Sequence, residues 1–564
     1  MPSLNVSLWL DRSAEQFPNR NAVITPGHSS SAPGRKDRPE GHRLTQYVWT
    51  FSELKQTADA YAWTMHDCGL RQGDRALVMI RPGFGFVAVS FALLKIGVVP
   101  VYIDPGMGLR AMSQCIKEVR PDAFVAIPVA HIFPLLLPAA FRTAHKRIIV
   151  DGGALAGLLR GERLAKAAAA HDRPFEPVRV AGTDEAIIAF TSGSTGIPKG
   201  VQYTHPMLDA LMKTLRDEIG IQQGEVDLPI LPVFALFNPA LGVTTVMPDM
   251  NPSKVATADP TRLVPQIQAN RVTTTFGSPT VWRRVADYCL QHGLQLTTIK
   301  RILIAGAPVP VELLRDLKKI LPGGTVLTPY GATEAIALTS IDLDEILAEA
   351  DRGAHPDSGV CVGKPFSHGC LHIIPISDEA IDRWDPDLVF PPGRIGEIVA
   401  RSPVVTHLYV NRPQETARAK IRDGDAVLHR MGDVGYLDEE GRLWFCGRKS
   451  HRVVTEHGLL LPVPCEAVFN RHLQVARTAL VGLGPAGGKQ TPLLVVEPIK
   501  DTAMNRKQLT AELLQLGARH EHTRHIKQIL FHPRFPVDVR HNAKIQRERL
   551  RTWAEGQRRT GRDA

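Results

Sequence analysis

The chain has 564 residues, 44% of them hydrophobic, 22% charged and 6% aromatic. That balance excludes disorder, collagen and coiled coil as whole-chain architectures, because each needs a strongly biased composition. The formal net charge of +10 favours anionic partners such as nucleotides, nucleic acid or a membrane surface. The excess is concentrated late: Arg534, Arg540, Lys544, Arg547, Arg549, Arg551, Arg558, Arg559 and Arg562 face only Asp538, Glu548, Glu555 and Asp563. Without a recognisable nucleic-acid module this run reads as a solvated helix and tail, and no nucleic-acid partner is expected. The seven cysteines are scattered and form no C-x-x-C, which fits a reducing cytoplasm better than a disulfide framework or a zinc site. The first residues lack a basic segment followed by a long apolar run, so no signal peptide is expected.

In chain order, the pattern predicts a helix over 5–16 and a short strand over 21–25. A polar loop follows over 28–43, then a strand over 45–50. Ser52 is expected to cap a helix that stops at Gly69. A buried strand over 73–80, a helix over 84–96 and strands over 98–104 and 122–127 come next. The apolar stretch from Phe86 to Ile103 is broken by Lys95 and Pro100 and reads as a buried helix and strand, not a membrane span. The alternation resumes with a strand over 186–190, a helix over 206–218 and strand DLPILPVF. Helices over 260–270 and 280–292, with strands over 273–278 and 301–308, complete it. Such alternation with β-branched runs predicts parallel sheets covered by helices. After about Pro365 it gives way to short strands (GCLHIIPI, GEIVARS, GRLWFCGR). The expected architecture is α/β: a large N-terminal domain over 1–447, with a small β-rich subdomain over about 366–447, and a small mobile α+β domain over 448–564.

The strongest chemical signal is Thr191-Ser192-Gly193-Ser194-Thr195-Gly196-Ile197-Pro198-Lys199-Gly200, directly after strand 186–190. Glycines let the backbone approach a ligand, hydroxyls and N–H groups surround phosphate oxygens, and Lys199 adds positive charge. The spacing differs from G-x-x-x-x-G-K-[ST]. Gly83–Phe86 lacks the third glycine of a dinucleotide fingerprint, and Gly482–Gln490 reads as a turn, not a phosphate loop.

The 191–200 loop resembles the phosphate-binding signature of the adenylate-forming superfamily, and further motifs follow in the superfamily's order. Tyr330-Gly331-Ala332-Thr333-Glu334 resembles Y-G-x-T-E. The resemblance implies a tyrosine stacked on adenine, Thr333 at the α-phosphate and Glu334 on Mg²⁺. Ala305-Gly306-Ala307 resembles the adenine-edge segment. Met431-Gly432-Asp433 and Gly447-Arg448 resemble T-G-D and G-R, implying that Asp433 and Arg448 reach the ribose. Asn542-Ala543-Lys544 stands where the superfamily has its catalytic lysine. The C-terminal domain is then expected to rotate on a hinge near Lys449-Ser450-His451. The implied cofactors are ATP and Mg²⁺, and the implied first step is attack of a carboxylate on the α-phosphate.

For the acid, Leu231-Pro232-Val233-Phe234-Ala235-Leu236-Phe237 carries Ala235 where many acyl-CoA synthetases have histidine. A widened, apolar pocket is expected from Phe234, Ala235, Phe237 and Gly277, with Leu241 and Val243 nearby. Segments 99–110, 231–242 and especially Phe535–Leu550 are similar to the β-lactone synthetases of bacterial long-chain olefin biosynthesis. That similarity implies a long-chain 2-alkyl-3-hydroxy acid substrate, ring closure by its own 3-hydroxyl, and assembly with other enzymes of that pathway. His205 is the candidate base. Two readings stay open beside it: an acyl-CoA or acyl-AMP ligase, and a non-catalytic scaffold.

Overall fold

The computed structural model describes residues 2–27, 35–37, 45–150, 161–191, 198–352, 358–485, 488–499, 505–537 and 545–559. The predicted 28–43 loop therefore falls mostly outside the described residues.

The first sheet has seven strands, in the spatial order Gly200–Thr204, Glu185–Phe190, Val99–Tyr102, Arg75–Met79, Ala123–Ala126, Lys146–Ile149 and Glu162–Arg163. All run parallel except Gly200–Thr204, which folds back antiparallel on Glu185–Phe190. The second sheet has ten strands. Its parallel centre contains Thr325–Ala332, Arg301–Ile304, Thr274–Gly277, Val226–Pro229, Thr244–Val246 and Asn21–Pro26. Both are the β-branched, helix-covered strands that the alternation predicts.

Lys95 shows how the apolar stretch 86–103 tolerates a charge. It sits in helix Phe84–Ile96 with its side chain fully buried. Its ammonium donates to Asp11 at 2.5 Å and pairs with Asp59 at 2.7 Å, tying together helices Leu8–Gln16, Phe51–Asp67 and Phe84–Ile96. A buried charge survives only with such partners. No described helix is long and apolar enough to cross a membrane.

One helix start differs from expectation. The cap of Phe51–Asp67 is Thr50, not Ser52. Glu53 N donates to Thr50 Oγ1 at 3.2 Å and Thr50 N donates to Glu53 Oε2 at 2.6 Å. The reciprocal pair outcompetes a cap two residues later.

The short strands after Pro365, joined at one edge by Val360–Cys361, form the third sheet, in the order Val360–Cys361, Leu443–Arg448, Ala426–Leu437, Gly396–Arg401 and Cys370–Ile374, with Lys420–Asp423 pairing on Ala426–Leu437. The last unit packs Val475–Leu483, Thr491–Pro498 and Gln528–Phe531 against helices Pro462–Phe469, Arg506–Ala518 and Arg547–Arg559. Its two apolar clusters draw only on residues from Val453 onward. The fold is thus α/β, with a large N-terminal part and a smaller α+β C-terminal part.

Candidate active site

A cavity of about 1910 Å³ lies between the first three sheets and the C-terminal unit. It exceeds the few hundred to about 1,000 Å³ typical of one small-molecule site. One wall is polar and the other apolar.

The polar wall begins at the predicted phosphate loop. Phe190 and Gly200 pair across the two antiparallel strands. Thr191 N donates to the Lys199 carbonyl at 3.0 Å, and Lys199 N donates to Thr191 Oγ1 at 3.1 Å. These bonds clamp the ends of the loop and keep Thr191 and Lys199 at the cavity. Ser192, Gly193, Ser194, Thr195 and Gly196 lie outside the described residues, as does Lys544.

The second motif is set by a hairpin that the alternation does not predict. Strands Thr325–Ala332 and Ala335–Asp342 are antiparallel, and Thr333-Glu334 form their turn at the cavity. A side chain at Gly331 would put its Cβ 2.6 Å from the Ala335 carbonyl, so only glycine fits there. The Tyr330 hydroxyl donates to Asp433 Oδ2 at 2.7 Å, and Arg448 Nη1 donates to Asp433 Oδ1 at 2.8 Å. Asp433 and Arg448 face each other because their strands pair in that register. Burial, then Asp433, pushes the Tyr330 phenol well above its usual range, while the Asp433 carboxylate holds Arg448 firmly charged. Ala305, Gly306 and Ala307 line the same wall after strand Arg301–Ile304.

Glu334 is held from two sides. The Tyr409 hydroxyl donates to its Oε1 at 2.6 Å, and Thr406 N donates to its backbone carbonyl at 2.9 Å. Tyr203 donates to the carbonyl of neighbouring Thr333. Lys199 Nζ stands 4.7 Å from the centre of the Tyr409 ring, a cation–π distance. No group of three or more His, Cys, Asp or Glu that could hold a metal ion occurs among the described residues. A single carboxylate at the cavity, Glu334, is a donor set that fits Mg²⁺, because that ion keeps its waters and takes few protein ligands.

Two more groups, Lys420 buried behind this wall and His429 on it, escape the motifs. Lys420 Nζ donates to Thr406 Oγ1 at 3.2 Å and lies 5.8 Å from the Tyr409 ring. Burial, reinforced by Lys199 and opposed by Glu334, pulls its pKa down to about 7. Cross-strand from it, His429 lines the cavity and bonds the Ala419 carbonyl through Nδ1 at 3.1 Å. Burial and then Lys420 hold this ring neutral, well below the usual histidine range. Their only sequence signal is position: His429 precedes Asp433 by four residues on the same strand.

The apolar wall contains Phe234 stacked on Phe276 at 4.2 Å, with Phe237, Leu208, Leu211 and Leu215. Phe234 and Phe237, expected at the acid pocket, line this cavity. Ala235 and Gly277 do not line the cavity. Ala235 is buried in the cluster under helices Phe51–Asp67 and Phe84–Ile96, and a Cβ on Gly277 would meet the Trp282 indole nitrogen at 2.8 Å. Leu241 and Val243 are likewise core. His205 is also displaced. It borders a different, small cavity, where its Nδ1 accepts from Val6 N at 3.2 Å and burial pulls its pKa down to about 4. It starts helix His205–Lys213, and that helix presents Leu208 and Leu211, not the imidazole, to the large cavity.

Residues 10–410 match the AMP-binding enzyme family. The chain belongs to that family. The AMP-binding enzyme is 41% identical to the olefin β-lactone synthetase of Stenotrophomonas maltophilia (strain K279a) over 98% of both chains. It is equally 41% identical to that of Xanthomonas campestris pv. campestris, again over 98% of both. The ATP-bound structure of MatB from Rhodopseudomonas palustris shares the fold, with a TM-score of 0.76 at 20% identity over 97% of this chain and 99% of that one.

Proposed function

We propose that this enzyme activates a long-chain 2-alkyl-3-hydroxy acid with ATP and then closes it to a β-lactone. The observation that carries this reading is kinship with two olefin β-lactone synthetases across 98% of each chain. The two-sided cavity supports it, since one wall suits a nucleotide and the other an alkyl chain.

In the first step a carboxylate oxygen attacks the α-phosphorus and the bond to pyrophosphate breaks. Both reactants are anionic, so catalysis is positioning and charge neutralisation. The Tyr330 ring and the Ala305–Ala307 backbone would hold adenine. Asp433 and Arg448 would take the ribose hydroxyls, exchanging their mutual hydrogen bond for bonds to the sugar. Thr333 would bond the α-phosphate, while Thr191, the 192–196 loop and Lys199 would hold the departing phosphates. Mg²⁺, held by Glu334, would supply Lewis-acid stabilisation of phosphate oxygens. Lys544, carried on a C-terminal domain taken to begin at residue 448 and hinged near Lys449, would complete the charge. In the second step the 3-hydroxyl oxygen attacks the acyl carbon, the bond to AMP breaks and the hydroxyl proton is released. Ring closure is intramolecular, so holding the chain folded against Phe234 and Phe237 gives much of the rate. Cytoplasmic location and assembly with neighbouring olefin-pathway enzymes belong to the same reading.

The test is a product assay with ATP, Mg²⁺ and a 2-alkyl-3-hydroxy acid, with and without CoA. β-Lactone and AMP formed equally in both are expected. Acyl-CoA without lactone would make the enzyme a ligase and end this reading.

A further inference from the structure

We propose that the segment Val129–Leu136, flanked by Arg142 and Arg147, is the face by which this enzyme rests on an anionic lipid bilayer. The inference rests on the functional reading above in one respect: the substrate is a long-chain acid, whose alkyl chain partitions into a lipid phase.

Thirteen large apolar side chains are exposed among the described residues, and five of them, Leu109, Val129, Ile132, Leu135 and Leu136, fall within one stretch of 28 residues. Leu135 is 76% exposed, Val129 58%, Leu136 56% and Ile132 50%. Scattered single apolar residues are normal on a surface, but a concentration of this kind marks a contact face. The segment is anchored from below. Phe133 and Leu137 pack on the cluster of Leu77, Phe124 and Phe141, so its neighbours project outward from a fixed base.

Two observations select a bilayer over a protein partner. The exposed side chains are all aliphatic, whereas protein interfaces favour aromatic residues and methionine. Along the chain the flanking charge also has one sign, with no Asp or Glu between Asp122 and Asp151. Lys146 is paired with Asp74 at 2.7 Å, but exposed Arg142 and Arg147 make no ion pair with a described residue. Exposed aliphatic side chains followed in the chain by exposed arginines are the composition of an interfacial membrane anchor. The face is also continuous with the site, because Val129 and Ile132 line the cavity while remaining exposed. An alkyl chain could pass from bilayer to cavity without crossing water.

The test sediments the full chain, without substrate, with vesicles of phosphatidylglycerol and phosphatidylcholine, and with phosphatidylcholine alone. Binding to the anionic vesicles, weakened by salt, is expected. The double substitution Leu135→Glu/Leu136→Glu should lower the partition coefficient about tenfold or more. Arg142→Glu/Arg147→Glu should remove the preference for the anionic lipid. Both variants should keep the wild-type melting temperature and ATP–pyrophosphate exchange with a short, soluble 3-hydroxy acid. Absence of vesicle binding by the wild type, or unchanged binding by the leucine variant, overturns the proposal. So does a dimer that the leucine substitutions disperse in sedimentation velocity without any vesicle binding. Since sedimentation needs no substrate, failed exchange in the wild type would count against the functional reading alone.

Discussion

The two walls of the cavity are built on different principles. On the polar wall every named group already has a geometric partner: Tyr330 and Arg448 on Asp433, Tyr409 on Glu334, Lys420 on Thr406. On the apolar wall the Phe234, Phe276 and Phe237 rings are held by ring contacts and aliphatic packing, with no side-chain hydrogen bond. Hydrogen bonds depend on atom identity and angle, so one substitution removes a defined function. Apolar packing depends on volume and shape, so one substitution changes fit by degree. Disturbing the polar wall should therefore switch steps off, and disturbing the apolar wall should only retune them.

The largest effect is expected at Glu334. Glu334→Gln keeps an acceptor for Tyr409 and removes the charge. ATP–pyrophosphate exchange should fall about 100- to 1000-fold, as when one preorganised electrostatic group is lost. An exchange rate near wild type would take Glu334 out of the phosphate site. Asp433→Ala comes next. It strands the Tyr330 hydroxyl and Arg448 together, so urea unfolding should show a loss of about 2 kcal/mol, with Arg448 partly relieved by solvent. The KM for ATP should rise with it. Unchanged stability would mean that the triad is not a connected unit.

The same contrast explains what was legible in the sequence. Tyr330, Gly331, Glu334, Asp433 and Arg448 stand out because polar chemistry needs those atoms at that spacing, and the structure gathers them at one cavity. The strand–helix alternation was equally plain in the first two sheets. Phe234, Ala235, Phe237 and Gly277 are all expected at the pocket, yet of these only the two phenylalanines line the cavity. An apolar run carries no sign of whether it faces a ligand, Trp282 or the core. His205 misled for a related reason: adjacency to the phosphate loop does not fix direction, and helix His205–Lys213 turns it toward Val6. Lys420 and His429 were invisible because their partnership is made by strand register, across nine residues of chain.

On the apolar wall, Phe234→Ala should raise the KM for the acid about tenfold, the worth of a lost aromatic stack and its contact area. The KM for ATP should stay put. A parallel rise in both would show that the two walls are mechanically coupled and that the contrast between them is too sharp.

The finest test compares two buried titrating groups, one behind each wall. Asp227 lines the cavity beyond the phenylalanines, and burial pushes its pKa up to about 7 despite the Asn238 amide at 2.8 Å. Lys420 is pulled down to about 7 behind the polar wall. Stability changes with pH according to which state binds more protons. For Asp227 the native state does so between its unfolded value, about 4, and 7. Its contribution is complete below the unfolded pKa and is lost as pH rises through that window. For Lys420 the unfolded state binds more between 7 and its unfolded value, about 10.5. Its contribution is complete above the unfolded pKa and is lost as pH falls toward 7. Each gives a slope of at most about 1.4 kcal/mol per pH unit, of opposite sign. Urea unfolding from pH 5 to 9 should thus show a minimum near 7 superposed on the background. Asp227→Asn should flatten the acid limb and Lys420→Met the alkaline limb. If Lys420→Met leaves the alkaline limb intact, the ammonium keeps its proton in the folded enzyme. The polar wall would then carry one more positive charge before any nucleotide arrives.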